Sequence, residues 1–482
     1  MSTVNHINPK RTRYRWGICS MLFFATLINY LDRQVLSLTW KDFIAPEFHW
    51  TNTDYGNITA FFSIFYAVSM LFAGRFVDRM DTRKGYLWAI GIWSVGACLH
   101  AFCGILTSGY ISGNWLVDFH GAREAIAVAG NTALVANVSV TLFIFARMVL
   151  ALGEAGNYPA AIKATAEYFP KKDRALATSL FDAGSVAGAL GAPLSIPFIA
   201  RIWGWEMAFI LIGALGFVWM GVWVFIYKKP GLNPKINEAE LAYIRQDGEE
   251  TSNAIGKESR VSFADCFRYR QTWAFALGKL LTDGVWFFFL FWTPAYLSSV
   301  YGIKSSDPMG QLAIFMLYLI SMVSIIGGWL PSYFVDKKGM NPYAGRMRTM
   351  LIFASFLLVA LLAQPLGHIS YWLPIIFIGI AMAGHQAWSA NIFSTVGDMF
   401  PQKAIATVIG IGGMAGGIGA FIINKSSGVL FDYAGQTQMQ FMGFKGEEAG
   451  YFIVFSVCAF SHLAGWIVMK SLVPVYKPIT DL

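Results

Sequence analysis

Asp32 and Arg33 stand side by side inside an otherwise apolar run, within Asn29-Tyr30-Leu31-Asp32-Arg33-Gln34. Arg147 and Glu154 lie seven residues apart in another such run. Seven residues is nearly two helical turns, so these two share a helix face, and Asn157, three further on, shares it too. Two acids and two bases in apolar surroundings can satisfy one another at rest and exchange partners when a proton or an anion arrives. An arginine fork holds a carboxylate through two parallel hydrogen bonds. A carboxylate kept from water holds its proton to higher pH. Arg147 is therefore expected to pair with Glu154 in the empty protein, and Asp32 to gate Arg33 likewise. A purely structural ion-pair network is the competing reading.

Tyr30 shares a face with Arg33, and Tyr66 lies eight residues before Gly74, near the middle of the next apolar run. Both could bond ligand hydroxyls, although a lone tyrosine more often packs. A later run holds His385-Gln386-Ala-Trp388-Ser389-Ala-Asn391. Trp388 shares a helix face with Asn391, and His385 with Ser389. One tryptophan beside several polar side chains suits a sugar-like ligand, by stacking on one side and hydrogen bonding on the other; His385 could equally be a packing residue. Lys279 and Asp283 are spaced i, i+4 and are expected to pair with each other, in a structural or gating role.

These residues sit in a chain of 482 residues that is 56% apolar and 13% charged. Soluble domains carry about 25% charged residues, and a membrane-spanning helix needs about 20 apolar ones. Twelve apolar runs can be read, at about 16–38, 57–77, 86–106, 138–165, 175–199, 206–227, 272–300, 310–334, 349–366, 372–396, 404–424 and 450–469. The first follows Lys10, Arg11, Arg13 and Arg15 as a signal sequence would. It is too long for one and contains Asp32 and Arg33, so it reads as a retained span. With the N-terminus placed in the cytoplasm, Lys and Arg outside the spans divide 25 to 6 in favour of the cytoplasmic face. The net charge of +8 is then a topology signal, and nucleic-acid binding is excluded. Both termini are expected in the cytoplasm. Five scattered cysteines, without CxxC or histidine pairing, indicate neither a disulfide framework nor a zinc site.

The chain repeats itself. Phe76-Val77-Asp78-Arg79 follows span 2 and Phe334-Val335-Asp336-Lys337 follows span 8; Glu167-Tyr168-Phe169-Pro170 ends span 4 and Asp398-Met399-Phe400-Pro401 ends span 10. Ala177-Thr178, Gly184 and Gly188 in span 5 match Ala406-Thr407, Gly413 and Gly417 in span 11, where small residues let helices approach closely. The expected organisation is a six-helix half over 1–228, a cytoplasmic linker over 229–271 and a second six-helix half over 272–482. The first half carries an enlarged external stretch at 107–137, whose 121–140 part could form an amphipathic surface helix. An all-α integral membrane protein of two parallel six-helix halves is the arrangement of the major facilitator fold, with the substrate site between the halves near the midplane.

The loop after span 2 resembles the cytoplasmic motif of that fold, in which Asp78 caps a neighbouring helix and Asp78, Arg79 and, by the repeat, Asp336 act in gating. Asn-Tyr-Leu-Asp-Arg, Arg147…Gly153-Glu154-Ala-Gly156 and His385-Gln-Ala-Trp388-Ser-Ala-Asn391 together resemble the anion:cation symporter family. That branch includes bacterial hexuronate, galactonate and glucarate transporters and the animal sialin and vesicular glutamate carriers, and the likeness is greatest to the hexuronate transporters. The resemblance implies proton coupling at Asp32 and Glu154 and anion contact at Arg33 and Arg147. It implies sugar contacts at Tyr30, Tyr66, Trp388 and Asn391, with His385, Gln386, Ser389 and Asn157 as further candidates. Thr59 and Thr282 replace a histidine and an arginine of the glutamate carriers, which argues against glutamate. The expectation is thus a monomeric, alternating-access symporter of a bacterial inner membrane. It would import a hexuronate such as glucuronate or galacturonate with protons; an aldonate, an aldarate, another organic anion or phosphate is the alternative substrate. No enzyme, metal or cofactor is expected, since neither a nucleophile–base pair nor a phosphate-cradling loop is visible.

Overall fold

A computed structural model describes residues 11–246 and 261–480. The twelve spans are Tyr14–Thr39, Asn52–Met80, Thr82–Ser112, span 4 in two pieces (Thr132–Glu154 and Asn157–Tyr168), Lys171–Trp203, Trp205–Ile226, Arg270–Tyr301, span 8 (Pro308–Ser321 continuing through a tighter turn into Ile326–Lys338), span 9 (Pro342–Phe356 continuing to Gly367), Trp372–Met399, Gln402–Thr437 and Glu447–Leu472. Among the described residues, eleven of these are long and apolar enough to cross a membrane. Span 1 is the twelfth long helix. Asn29, Asp32, Arg33 and Gln34 dilute its apolar character, and all four are buried within the protein.

Local chemistry sets the helix ends. Thr51 and Asp54 form a reciprocal capping box at the start of span 2. Asp81, at a positive φ of 69°, starts span 3 by accepting a bond from the Thr82 amide. Span 1 has no cap of its own. Glu240, from the short linker helix Glu238–Ile244, accepts the Tyr14 and Arg15 amides at 2.9 and 3.2 Å and also bonds Thr12 and the Arg15 guanidinium. A buried acid at a helix N-terminus offsets both the open donors and the dipole. The first part of the linker is thereby fixed to the first half. Its last part, at Val261, accepts a bond from Thr407 of span 11. Residues 247–260 of the expected linker lie outside the described residues. So do Lys10, Lys257 and Arg260 of the basic residues counted above, together with the side chains of Lys171 and Lys403.

Span 4 breaks where it crosses span 3 most closely. A Cβ on Gly153 would collide with the Trp93 amide and the Ala89 carbonyl, so only glycine lets these backbones meet. Gly188 plays the same part between spans 5 and 1, where a Cβ would strike the Leu27 carbonyl and Tyr30. Both contacts are backbone-to-backbone and bring Glu154 and Tyr30 to the centre of the bundle.

Helix claims part of the expected 107–137 stretch. Thr107–Ser112 continue span 3 and Thr132–Asn137 begin span 4. Between them lies the short helix Phe119–Ala127, capped by Asp118 and seated on Ala122 and Ile126. Arg123 fixes it: its guanidinium bonds Glu206 at the start of span 6 and lies 3.6 Å from Glu47, just beyond span 1. A two-stranded hairpin pairing Gln440–Phe441 with Phe444–Lys445 precedes span 12 and has no counterpart in the sequence reading.

Candidate functional site

Span 1 and the break in span 4 meet at Glu154. Arg33 Nε and Nη2 donate to Glu154 Oε2 at 3.1 and 2.7 Å, and the acid's side chain is fully buried. The expected Arg147–Glu154 pair is therefore corrected to Arg33–Glu154. Seven residues share a helix face but stand about 10 Å apart along its axis, whereas span 1 passes directly beside the acid. Arg33 lies 4.8 Å from the Tyr66 ring and 5.3 Å from that of Tyr30. Phe62 stacks on Tyr66 at 5.9 Å, and Arg147 lies over Phe62 at 5.2 Å.

Arg147 is buried, and its Nε and Nη1 have no hydrogen-bond partner among the described residues; neither have both oxygens of Asp32 and Glu154 Oε1. Asp32 is within electrostatic range of Glu154, Arg147 and Arg33. The structure thus brings Tyr30, Asp32, Arg33, Tyr66, Arg147 and Glu154 into one cluster. Asn157 accepts a bond from Tyr86 of span 3 at 2.8 Å, which orients its oxygen toward that helix. Buried donors left uncommitted by the protein are costly, so the Arg147 fork is suited to an incoming anion.

Across the bundle, Lys279 and Asp283 pair at 2.6 Å, as their spacing predicts, with the ammonium 4.0 Å from the Phe393 ring centre. Trp286, one turn on from Asp283, stacks on His385 at 5.7 Å. His385 Nδ1 meets His462 Nε2 of span 12 at 3.1 Å. Trp388 and Asn391 are not brought to the arginine cluster. Trp388 is buried against the edge of His462, and Asn391 donates to the Gly327 carbonyl of span 8 at 2.9 Å. Gln386 and Ser389 are half-buried on span 10. Among the described residues, no group of three or more His, Cys, Asp or Glu could hold a metal ion.

Three features escaped the sequence reading. Asp182 is an exposed acid within span 5 and accepts a bond from Tyr158, close enough to Tyr30 to influence it. Its signal was available, since any acid inside an apolar run is a functional candidate. His462 had no local signal, because its partner is 77 residues away. The third is the helix start that Asp81 caps. Lys229 approaches Asp81 to 3.6 Å. Arg79 and Asp336 are exposed at the ends of spans 2 and 8, and the Asp78 side chain lies outside the described residues.

The bonds between the two halves gather at the end away from the linker. Asp42 accepts Ser298 Oγ at 2.7 Å, Ser305 N at 2.8 Å and Ser305 Oγ at 2.7 Å. Asp432 accepts Asn52 N and Nδ2, both at 3.0 Å, and Thr53 N at 2.7 Å. Tyr55 donates to the Phe291 carbonyl at 2.9 Å, and Trp40 stacks on Tyr55 at 3.9 Å and meets Trp292 edge-on at 5.9 Å.

The profile of the Major Facilitator Superfamily matches residues 22–423. The chain belongs to this superfamily. It is a multi-pass membrane transporter, not an enzyme. Among its relatives is the hexuronate transporter of Escherichia coli K12, 27% identical over 425 residues, or 87% of this chain and 88% of the relative. The galacturonate transporter of Dickeya chrysanthemi is 27% identical over 69% of this chain and 86% of its own. A probable galactarate/D-glucarate transporter of Bacillus subtilis is 25% identical over 85% and 82%. The fold is that of a solved D-xylose–proton symporter (TM-score 0.66, 14% identity, 94% of this chain and 97% of that one). It is also that of a bacterial homologue of the human lysosomal transporter Spinster, solved inward-facing and unoccupied (TM-score 0.62, 17% identity, 95% of each chain).

Proposed function

We propose that the transporter is a proton-coupled symporter that imports a sugar-acid anion, a hexuronate such as glucuronate or galacturonate, by alternating access. The observation that carries this reading is the Arg33–Glu154 pair beside the uncommitted fork of Arg147. Protonating Glu154 removes its charge and releases Arg33. Arg33 and Arg147 then both face the substrate carboxylate, while Tyr30 and Tyr66 bond its hydroxyls. Asp32 takes a second proton. One anion with two protons moves one positive charge, which adds about 2.3 kcal/mol per 100 mV of membrane potential. The empty cluster sets two acids against two bases and carries no net charge, and the loaded one carries the single positive charge that is moved.

In this reading the linker end and both termini face the cytoplasm of a bacterial inner membrane, and the monomer is the working unit. The contacts of Asp42, Asp432 and Tyr55 then close the external side, and substrate leaves from the linker end. The named substrates of the hexuronate and galacturonate transporters support the substrate assignment. The probable galactarate/D-glucarate relative favours an aldonate or aldarate as the second reading.

Purified transporter in proteoliposomes tests the proposal. Glucuronate added outside should acidify the lumen, and the signal should vanish in Arg147→Ala. Uptake of labelled glucuronate with no proton movement would leave facilitated diffusion as the activity.

A further inference from the structure

The ion pair of span 7 is unused by the mechanism above, yet it lies at the same depth as the arginine cluster. Trp40 of span 1 and Trp292 of span 7 touch edge-on and mark one level of the bundle. Arg33 is seven residues from Trp40 and Asp283 nine from Trp292, about 10 and about 14 Å along their helices. Asp283 also packs on Gly416 of span 11, whose neighbour Gly417 touches Ala67, the residue after Tyr66. Asp283 and Ala67, the residue after Tyr66, therefore flank the same stretch of span 11, one from each half.

The two members of the pair differ in what they present. The Asp283 side chain is 16% exposed and that of Lys279 4%. A charge at this depth reaches water only through a cavity inside the protein. The more accessible group of the two is thus the carboxylate, a hydrogen-bond acceptor, with the ammonium behind it. Among the described residues Lys279 alone bonds Asp283. Trp286, one turn away and half-buried, offers an indole face beside it. His385 lies flat against that indole and is itself held by His462, which fixes the orientation of the ring.

We propose that Asp283 and Trp286, backed by Lys279, form a subsite in the second half that takes the hydroxylated end of the substrate and rejects a second carboxylate. A salt-bridged carboxylate with a free acceptor edge receives vicinal hydroxyl donors, and an aromatic face packs on the C–H side of a sugar. The same acid repels an anion. The substrate class is then the monocarboxylate sugar acids, with the carboxylate on Arg147 and the polyol on Asp283, and aldarates are excluded. The inference rests on the sugar-acid reading above, and it makes one substrate bridge the two halves, so that binding itself draws them together.

Competition for labelled glucuronate uptake in proteoliposomes tests it, with unlabelled galactonate and glucarate as competitors. Wild-type transporter should be blocked by galactonate and at least about tenfold more weakly by glucarate. Asp283→Asn should weaken glucuronate about tenfold, the loss of one charge-assisted bond, and should bring glucarate level with galactonate. The charge-balanced double variant Lys279→Gln/Asp283→Asn should behave likewise and covers the case in which a lone buried lysine prevents folding. Glucarate competing as well as galactonate in wild type, or discrimination unchanged in these variants, overturns the subsite while leaving sugar-acid transport standing. Wild-type transporter that takes up no sugar acid overturns the functional reading itself.

Discussion

Asp432, like Asp42, gathers three hydrogen bonds between the halves on one carboxylate. One carboxylate receives Asn52 N and Nδ2 through Oδ1 and Thr53 N through Oδ2. Asn52 is the first residue of span 2, so an acid of the second half caps a helix of the first half and meets the positive end of its dipole. Asp432→Asn keeps the shape, removes the charge, and turns one acceptor into a donor that faces an N–H. Losing one charge-assisted bond costs about 1.5–3 kcal/mol, and the dipole adds about 0.3–1 kcal/mol. A total of about 2–4 kcal/mol shifts the ratio of closed to open far ends about 30–700-fold. Spin labels on Thr132 and Gln436, both exposed at the far end on opposite halves, would report this as a longer distance component in double electron–electron resonance. If the distance distribution of Asp432→Asn superimposes on that of the parent, the contact does not hold the far end closed and the reasoning fails.

Two further outcomes follow from the site and its surroundings. Arg147→Lys should lower sugar-acid affinity more than about tenfold, because a point charge replaces a flat fork; isothermal titration on detergent-purified protein measures it, and unchanged affinity removes Arg147 from the carboxylate contact. Burial, with Glu206 nearby, pushes Glu47 up to about 7, although Trp205 and Arg123 oppose the shift. An acid whose folded pKa is raised contributes stability at low pH that is lost as pH rises through the folded value. The contribution of Glu47 to the stability of the fold should therefore fall from about pH 4.5 to about pH 7 and stay level above. Denaturant unfolding of the purified protein across this range should show that slope in the parent and a flatter one in Glu47→Gln; equal slopes in the two contradict it.

The span pattern and the two-half repeat were legible in the sequence because lipid demands long apolar helices and duplication leaves matching landmarks. Asp32, Arg33, Arg147 and Glu154 stood out for the same reason, as charges where charge is costly. Their pairing was not legible. Helical spacing says which residues of one helix share a face, but Arg33 reaches Glu154 from another helix. Trp388 and Asn391 show the same limit: periodicity grouped them on one face, and the neighbouring Gly327 and His462 show that this face looks into the second half. Glu240 lies outside every span, so no intramembrane-charge rule could mark it, although it caps the first helix from 226 residues away.

Accumulation of labelled glucuronate by proteoliposomes under an inward proton gradient, measured beside counterflow exchange in Glu154→Gln, tests the central claim most directly. If Glu154 carries one of the two coupled protons, wild-type vesicles concentrate glucuronate above the external level, and Glu154→Gln, left with Asp32 alone, exchanges it but concentrates it less. Proton-driven accumulation that survives undiminished in Glu154→Gln and in Asp32→Asn would contradict the account.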